Sequence, residues 1–168
     1  MGAYKYIRES LQNRYKERDQ VFKSRAALWR EQPSVFRIER PTNLSRAREL
    51  GYKAKQGIIV ARVRIKKGLR KREKARGGRK PSKAGRFFAY DKSMQSIAEE
   101  RAARKFLNCE VVNSYYAGED GKFKFFETIL VDRSNPAAVS SDFHGQVASR
   151  RGRSFRGLTS SGRKHRGI

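Results

Sequence analysis

The stretch "GIIVARVRIKKG", residues 57–68, sets Ile59, Ala61, Val63 and Ile65 against Val60, Arg62, Arg64 and Lys66. Successive side chains of an extended chain point to opposite faces, so this period of two predicts a β-strand. One face is apolar throughout, and the other becomes basic in its second half. An apolar strand face must be covered, and the neighbouring sequence supplies the cover. "CEVVNSYYA" (109–117) and "KFFETILVD" (124–132) read as two further strands. The short "GEDG" between them is typical of a hairpin. "SVFRIERP" (34–41) reads as a short strand through Val35, Phe36 and Ile38.

Helical periodicity flanks the strands. Met94, Ile97, Ala98, Ala102 and Phe106 make an apolar stripe in "SMQSIAEERAARKF". Tyr4, Ile7, Leu11, Tyr15, Phe22, Ala26 and Trp29 extend a similar stripe over the first 32 residues, with a break expected near Asn13 and an end at Pro33. A short helix is expected in "NLSRARELGY", with Asn43 as N-cap and Gly51 just past its end. "NPAAVSSDF" (135–143) has room for one helical turn, and from Arg150 onward nothing argues for core. The predicted fold class is therefore α+β: a small antiparallel sheet of about three strands, packed by two or three helices. Residues 1–149 are expected to form one domain, interrupted by a long basic internal loop at 66–90, and 150–168 an extended basic tail.

Charge carries the functional information. The chain of 168 residues has a net charge of +25 and a pI of 11.0. Residues 94–136 hold six basic and seven acidic residues, whereas 62–86 hold 13 basic and one acidic, and 150–168 hold seven basic and none acidic. Like-charge blocks of this kind are usually disordered alone and act as interaction arms. Polyanions reward them through counterion release. Candidate phosphate contacts are Arg62, Arg64, Lys66, Lys67, Arg70, Lys71, Arg72, Lys74, Arg76, Arg79, Lys80, Lys83 and Arg86 in and beside the internal run. Arg150, Arg151, Arg153, Arg156, Arg163, Lys164, His165 and Arg166 are the candidates in the tail. Guanidinium forks match phosphate oxygens and also stack on bases. The small polar residues of the tail suit a narrow crevice between folded helices, a shape that favours RNA over open duplex DNA.

Other classes have less to stand on. No apolar run approaches the ~18 residues of a membrane helix. The arms lack the interleaved large apolar residues of an interfacial helix. The N-terminus is too polar for a secretory signal. The single cysteine, Cys109, excludes an internal disulfide and reads as a small buried apolar residue. Glu99 and Glu100 are adjacent on one helix and diverge, so they read as ion-pair partners for Arg101 or Arg104 rather than a facing catalytic pair. His144 and His165 both fall in loop-like sequence. No metal-ligand or nucleotide-binding spacing is present. A chromatin-like DNA-binding protein and an RNA-processing enzyme are the alternatives to an RNA-binding structural protein.

Five phrases, in order, carry a resemblance. They are "MGAYKYIRE", "RPTNLSRARELGYKAKQGIIVARVRI" (40–65), "QSIAEERAARKF" (95–106), "NSYYAGEDGKFKFFETILVD" (113–132) and "RGLTSSGRKHRG" (156–167). With them the chain resembles the L-fifteen-e family of large-subunit ribosomal proteins nearly end to end, the basic stretch at 66–90 matching in character more than in letters. The resemblance implies a structural constituent of the large ribosomal subunit, cytoplasmic, with arms threaded into large-subunit rRNA beside neighbouring large-subunit proteins. It implies no catalysis, cofactor, membrane or small-molecule substrate. Carried over on "GYKAKQG", it adds Tyr52, Lys53, Lys55 and Gln56 as expected rRNA contacts.

Overall fold

The computed structural model describes residues 2–68, 76–83, 85 and 92–167. The strand that opened the sequence reading is the spine of the fold. It forms β2 (Ile58–Lys66), flanked by β1 (Val35–Ile38) and β4 (Phe123–Asp132), with β3 (Cys109–Glu119) beyond β4. All pairings are antiparallel, in the order β1-β2-β4-β3. The sheet thus has four strands where about three are expected, because the four residues of β1 pair fully with β2, Val35 opposite Val63 and Ile38 opposite Val60. The β3–β4 hairpin forms as read, and β3 carries irregularities after Val111 and Tyr116.

The period of two sorts the core. Ala61, Val63 and Ile65 of β2, with Phe126 and Leu130 of β4, face α4 (Met94–Lys105), whose Ala98, Ala102 and Ala103 allow close approach. Ser93 caps α4 by accepting from Ser96 N. On the opposite face, Ile129 and Val131 pack with Val112 and Tyr115 against α3 (Leu44–Glu49), α5 (Pro136–Val139) and α6 (Asp142–Ser149). Asn43 caps α3 as expected, its Oδ1 accepting from Arg46 N at 2.9 Å. The segment 135–149 holds two short helices rather than one turn, since Asn135 caps α5 and a second start follows at Ser141.

The N-terminal helical region divides at Arg18, not near Asn13. It comprises α1 (Ala3–Glu17) and α2 (Gln20–Glu31). Arg18 is left-handed, at φ 49°, and Asp19 restarts the helix by accepting from Phe22 N at 2.7 Å. Only α2 buries side chains, Ala26 and Trp29. Helix α1 is held at its surface by Arg8 with Glu49 and by Tyr15 with Tyr116.

Residues from 150 onward differ most from expectation. The expected extended tail is folded against α4 and the β3 edge as turns and a last helix, α7 (Ser160–His165). Ser154, Thr159 and Ser161 are buried there. Gly157 is left-handed, and Gly162 lies against it so closely that a Cβ would meet Gly157 Cα at 2.6 Å. A backbone this close needs glycine, which is how a segment without large apolar residues still packs. No helix among the described residues is long and apolar enough to cross a membrane.

Candidate nucleic-acid interface

Burial divides the basic residues into two sets. Arg62 lies on the face of β2 covered by α2, its side chain 11% exposed. Its Nη2 lies 3.0 Å from Oε1 of Glu127, which is fully buried on β4 directly opposite. Glu127 also accepts from Thr42 N and Oγ1 and from the Tyr115 hydroxyl. The Arg62 guanidinium sits 4.3 Å from the Trp29 ring centroid. Arg64 donates to the Arg30 carbonyl and stacks over Phe123 at 4.8 Å. Both arginines are therefore built into the fold at the α2–sheet contact.

The second set stands at the surface. Lys53, Lys55 and Gln56 are exposed on one loop between α3 and β2, while Tyr52 tucks against the core. Gly57 closes that loop at φ +80°, where a Cβ would meet Ala138 and Asn135 at 2.7 Å. Lys66 is exposed at the end of β2, and Lys67 pairs with Glu119 at 3.4 Å. Arg76, Arg79 and Lys80 are exposed. Arg70, Lys71, Arg72, Lys74 and Arg86, with the side chain of Lys83, lie outside the described residues. Arg150, Arg151, Arg156, Arg163, Lys164, His165 and Arg166 are exposed along the folded C-terminal segment.

Two buried carboxylates hold that segment down. Glu110 accepts from Gly152 N at 2.9 Å and from Arg153 N at 3.4 Å. Arg153 Nη1 then donates to Val111 O, tying the segment to edge strand β3. Burial, then the nearby Arg150 and Arg163, lower the Arg153 pKa from its usual range. Glu99 accepts from Thr159 Oγ1 at 2.5 Å and from Ser114 Oγ. Its pKa is raised by burial, against the opposing pull of those two hydroxyls. Thr159 Oγ1 also caps α7 by accepting from Gly162 N at 3.1 Å. Ser161 joins Ser96 at 2.7 Å and Ser93 at 3.0 Å.

The expected ion-pair role holds for Glu100, which meets Lys92 and Arg104, whereas Glu99 instead ends in this hydroxyl network. His144 is buried on α6 rather than in a loop, its Nε2 2.8 Å from Gly51 O and its Nδ1 3.3 Å from Ser141 Oγ. Cys109 is buried as expected, its thiol pushed up to about 11 by burial and then by Asp132, which leaves it unreactive.

Folding of the segment also creates a crevice that linear reading misses. Arg46 and Leu50 line it with Ser93, Gln95 and Asn113, facing Ser160, Lys164 and His165, around a volume of about 370 Å³. Arg46 is 118 positions from Lys164, and no local signal joins them. The crevice is polar and basic, with Arg46, Lys164 and His165 among its lining residues.

Comparison with known proteins agrees with this architecture. The family model described as Ribosomal L15 matches residues 2–168. The protein named large ribosomal subunit protein eL15 from Picrophilus torridus is 49% identical over 173 aligned residues, covering 100% of this chain and 88% of the relative. Proteins of the same name from Metallosphaera sedula and Methanocorpusculum labreanum are each 52% identical, covering 88% and 86% of this chain and 70% and 75% of theirs. With a family match over nearly its whole length and half its residues shared with these relatives, the chain belongs to the ribosomal L15e family.

Proposed function

We propose that the chain is a structural constituent of the large ribosomal subunit in the cytoplasm, binding folded large-subunit rRNA beside neighbouring large-subunit proteins. It works without catalysis, cofactor, membrane or small-molecule substrate. The observation that carries this reading is where the opposite charges go. Glu99, Glu100, Glu110 and Glu127 are buried and occupied with internal donors. The cations of 53–56 and 150–166 are mostly at the surface. These four carboxylates hold the fold together, and most of the basic residues described face outward. Such a surface favours a polyanion and releases its counterions on binding. Arg62 and Arg64 serve by fixing the scaffold. Lys53, Lys55, Gln56, the run from Lys66 to Arg86 and the exposed cations from Arg150 to Arg166 serve by touching rRNA, whereas Arg153 ties the C-terminal segment to β3.

The alternatives lack such support. A DNA reader of the usual helical kind lays a recognition helix in the major groove, and the basic α7 has six residues with Ser161 and Gly162 packed inward. An RNA-processing enzyme needs a general acid or base within reach of substrate, whereas Glu99 and His144 are buried with their polar atoms engaged. The test is native sedimentation of a lysate through washes of rising salt. Stoichiometric migration with the large subunit, retained through moderate salt, is the expected result. Release at low salt to the top of the gradient, or migration with free DNA, overturns the reading.

A further inference from the structure

Beneath the N-terminal helices lies a cavity of about 340 Å³, lined by none of the basic residues described at 53–56, 76–83 and 150–166. Leu11, Tyr15, Phe22, Trp29 and Tyr116 line it. The rings are set by their own contacts rather than by collapse onto one another. Tyr15 meets Phe22 edge-on at 5.5 Å and 88°, and Tyr116 at 5.6 Å and 82°. Trp29 is fixed behind them, edge-on to Phe125 at 5.2 Å and under the Arg62 guanidinium. Arg14 and Lys16, both exposed, and half-buried Arg25 also line the cavity. The lining carboxylate, Asp19, is engaged as the cap of α2. Gln12 and Asn43 add amide groups to the lining.

A cavity that combines aromatic walls with three cations fits one class of guest better than others. An apolar side chain of a neighbouring protein fits the walls and leaves the three cations without a purpose. A phosphate alone fits the cations and leaves the walls without one. A nucleotide fits both, because every base has a π-face and every nucleotide an anion. Resting on the rRNA reading above, we propose that this cavity takes one unstacked base of the rRNA, with the adjoining phosphate on Arg14, Lys16 or Arg25. The chain then captures a single extruded nucleotide at one end while its basic segments track the backbone elsewhere.

Trp29 is the only tryptophan of the chain and lines the cavity, so its fluorescence reports on the guest. The full chain is titrated with single-stranded oligoadenylate, with an abasic strand of equal charge and with duplex RNA. Oligoadenylate is expected to quench Trp29, while the other two bind without quenching. Ala117→Leu, which fills the cavity from β3, is expected to weaken oligoadenylate binding roughly tenfold, in line with the loss of one stacked base. It leaves duplex binding and its salt dependence unchanged. Phe22→Leu keeps the apolar volume, removes an aromatic face and gives the same pattern if Ala117→Leu disturbs the fold. Equal quenching by the abasic strand overturns the proposal, and so does a uniform response of all three ligands to either variant. Salt-sensitive RNA binding with unchanged Trp29 emission overturns the cavity alone, including the case where a protein side chain fills it. Failure to bind any RNA overturns the rRNA reading with it.

Discussion

Arg62 and Arg163 carry the same guanidinium, and the fold puts them to opposite uses. Arg62 lies against Trp29 and Glu127 in the contact between α2 and the sheet. Arg163 is exposed on α7, in a segment held by Thr159, Gly162, two carboxylates and Arg153. A buried cation is bound by what its removal would leave behind. An exposed one keeps its solvation and its counterion until an anion arrives. The contrast separates a basic residue built into the protein from one left at its surface.

The largest effect expected is on stability. Arg62→Ala strands the Glu127 carboxylate in a dry site with only its hydroxyl and backbone donors, which costs about 3–5 kcal/mol. The denaturant midpoint should fall accordingly, and pairing Arg62→Met with Glu127→Gln should recover much of the loss. A fall under about 1 kcal/mol for the single variant, the range of surface pairs, would place Arg62 with the exposed set.

The converse experiment alters binding and spares the fold. Replacing Arg156, Arg163, Lys164 and Arg166 by Ser should leave the midpoint within about 0.5 kcal/mol, as for other surface substitutions. It should weaken rRNA binding about a hundredfold at physiological salt and make the log–log salt slope shallower by roughly three. An unchanged slope would break the comparison from the other side.

The smallest effect is one of pH. Glu99 has a raised pKa in the folded chain, so the native state holds its proton more tightly than the unfolded state does. Its favourable contribution is complete below the unfolded value near 4.5 and is lost as pH rises through the raised folded value. Glu99→Gln keeps an acceptor for Thr159 or Ser114 and removes the ionisation. The stability of the parent relative to Glu99→Gln should therefore fall as pH rises through that window. A flat difference from pH 4 to 8 would mean that the carboxyl does not change its charge there.

The sequence by itself determined the sheet and its sidedness. Alternation in 57–66 and the hairpin at 118–121 are local properties, written in side-chain size and polarity at a period of two. The cap at Asn43 was legible for the same reason, since a cap acts within three residues. The break at Asp19 was written in the same code and was sought at Asn13 instead. Charge segregation needed only counting.

Tertiary structure alone decided which cations are exposed. Arg62 and Lys66 stand on one strand face with the same alternation, and only the arrival of α2 and Glu127 over the first distinguishes them. It also decided that residues 150–167 fold. Their anchors are Glu99 and Glu110, 60 and 42 positions away from the groups they accept from, and their close fit comes from a glycine pair rather than from apolar bulk. Carboxylate–hydroxyl bonds and backbone contacts leave no periodic trace in sequence. The aromatic cavity likewise gathers α1, α2 and β3, whose meeting is a property of the packed sheet and not of any one stretch.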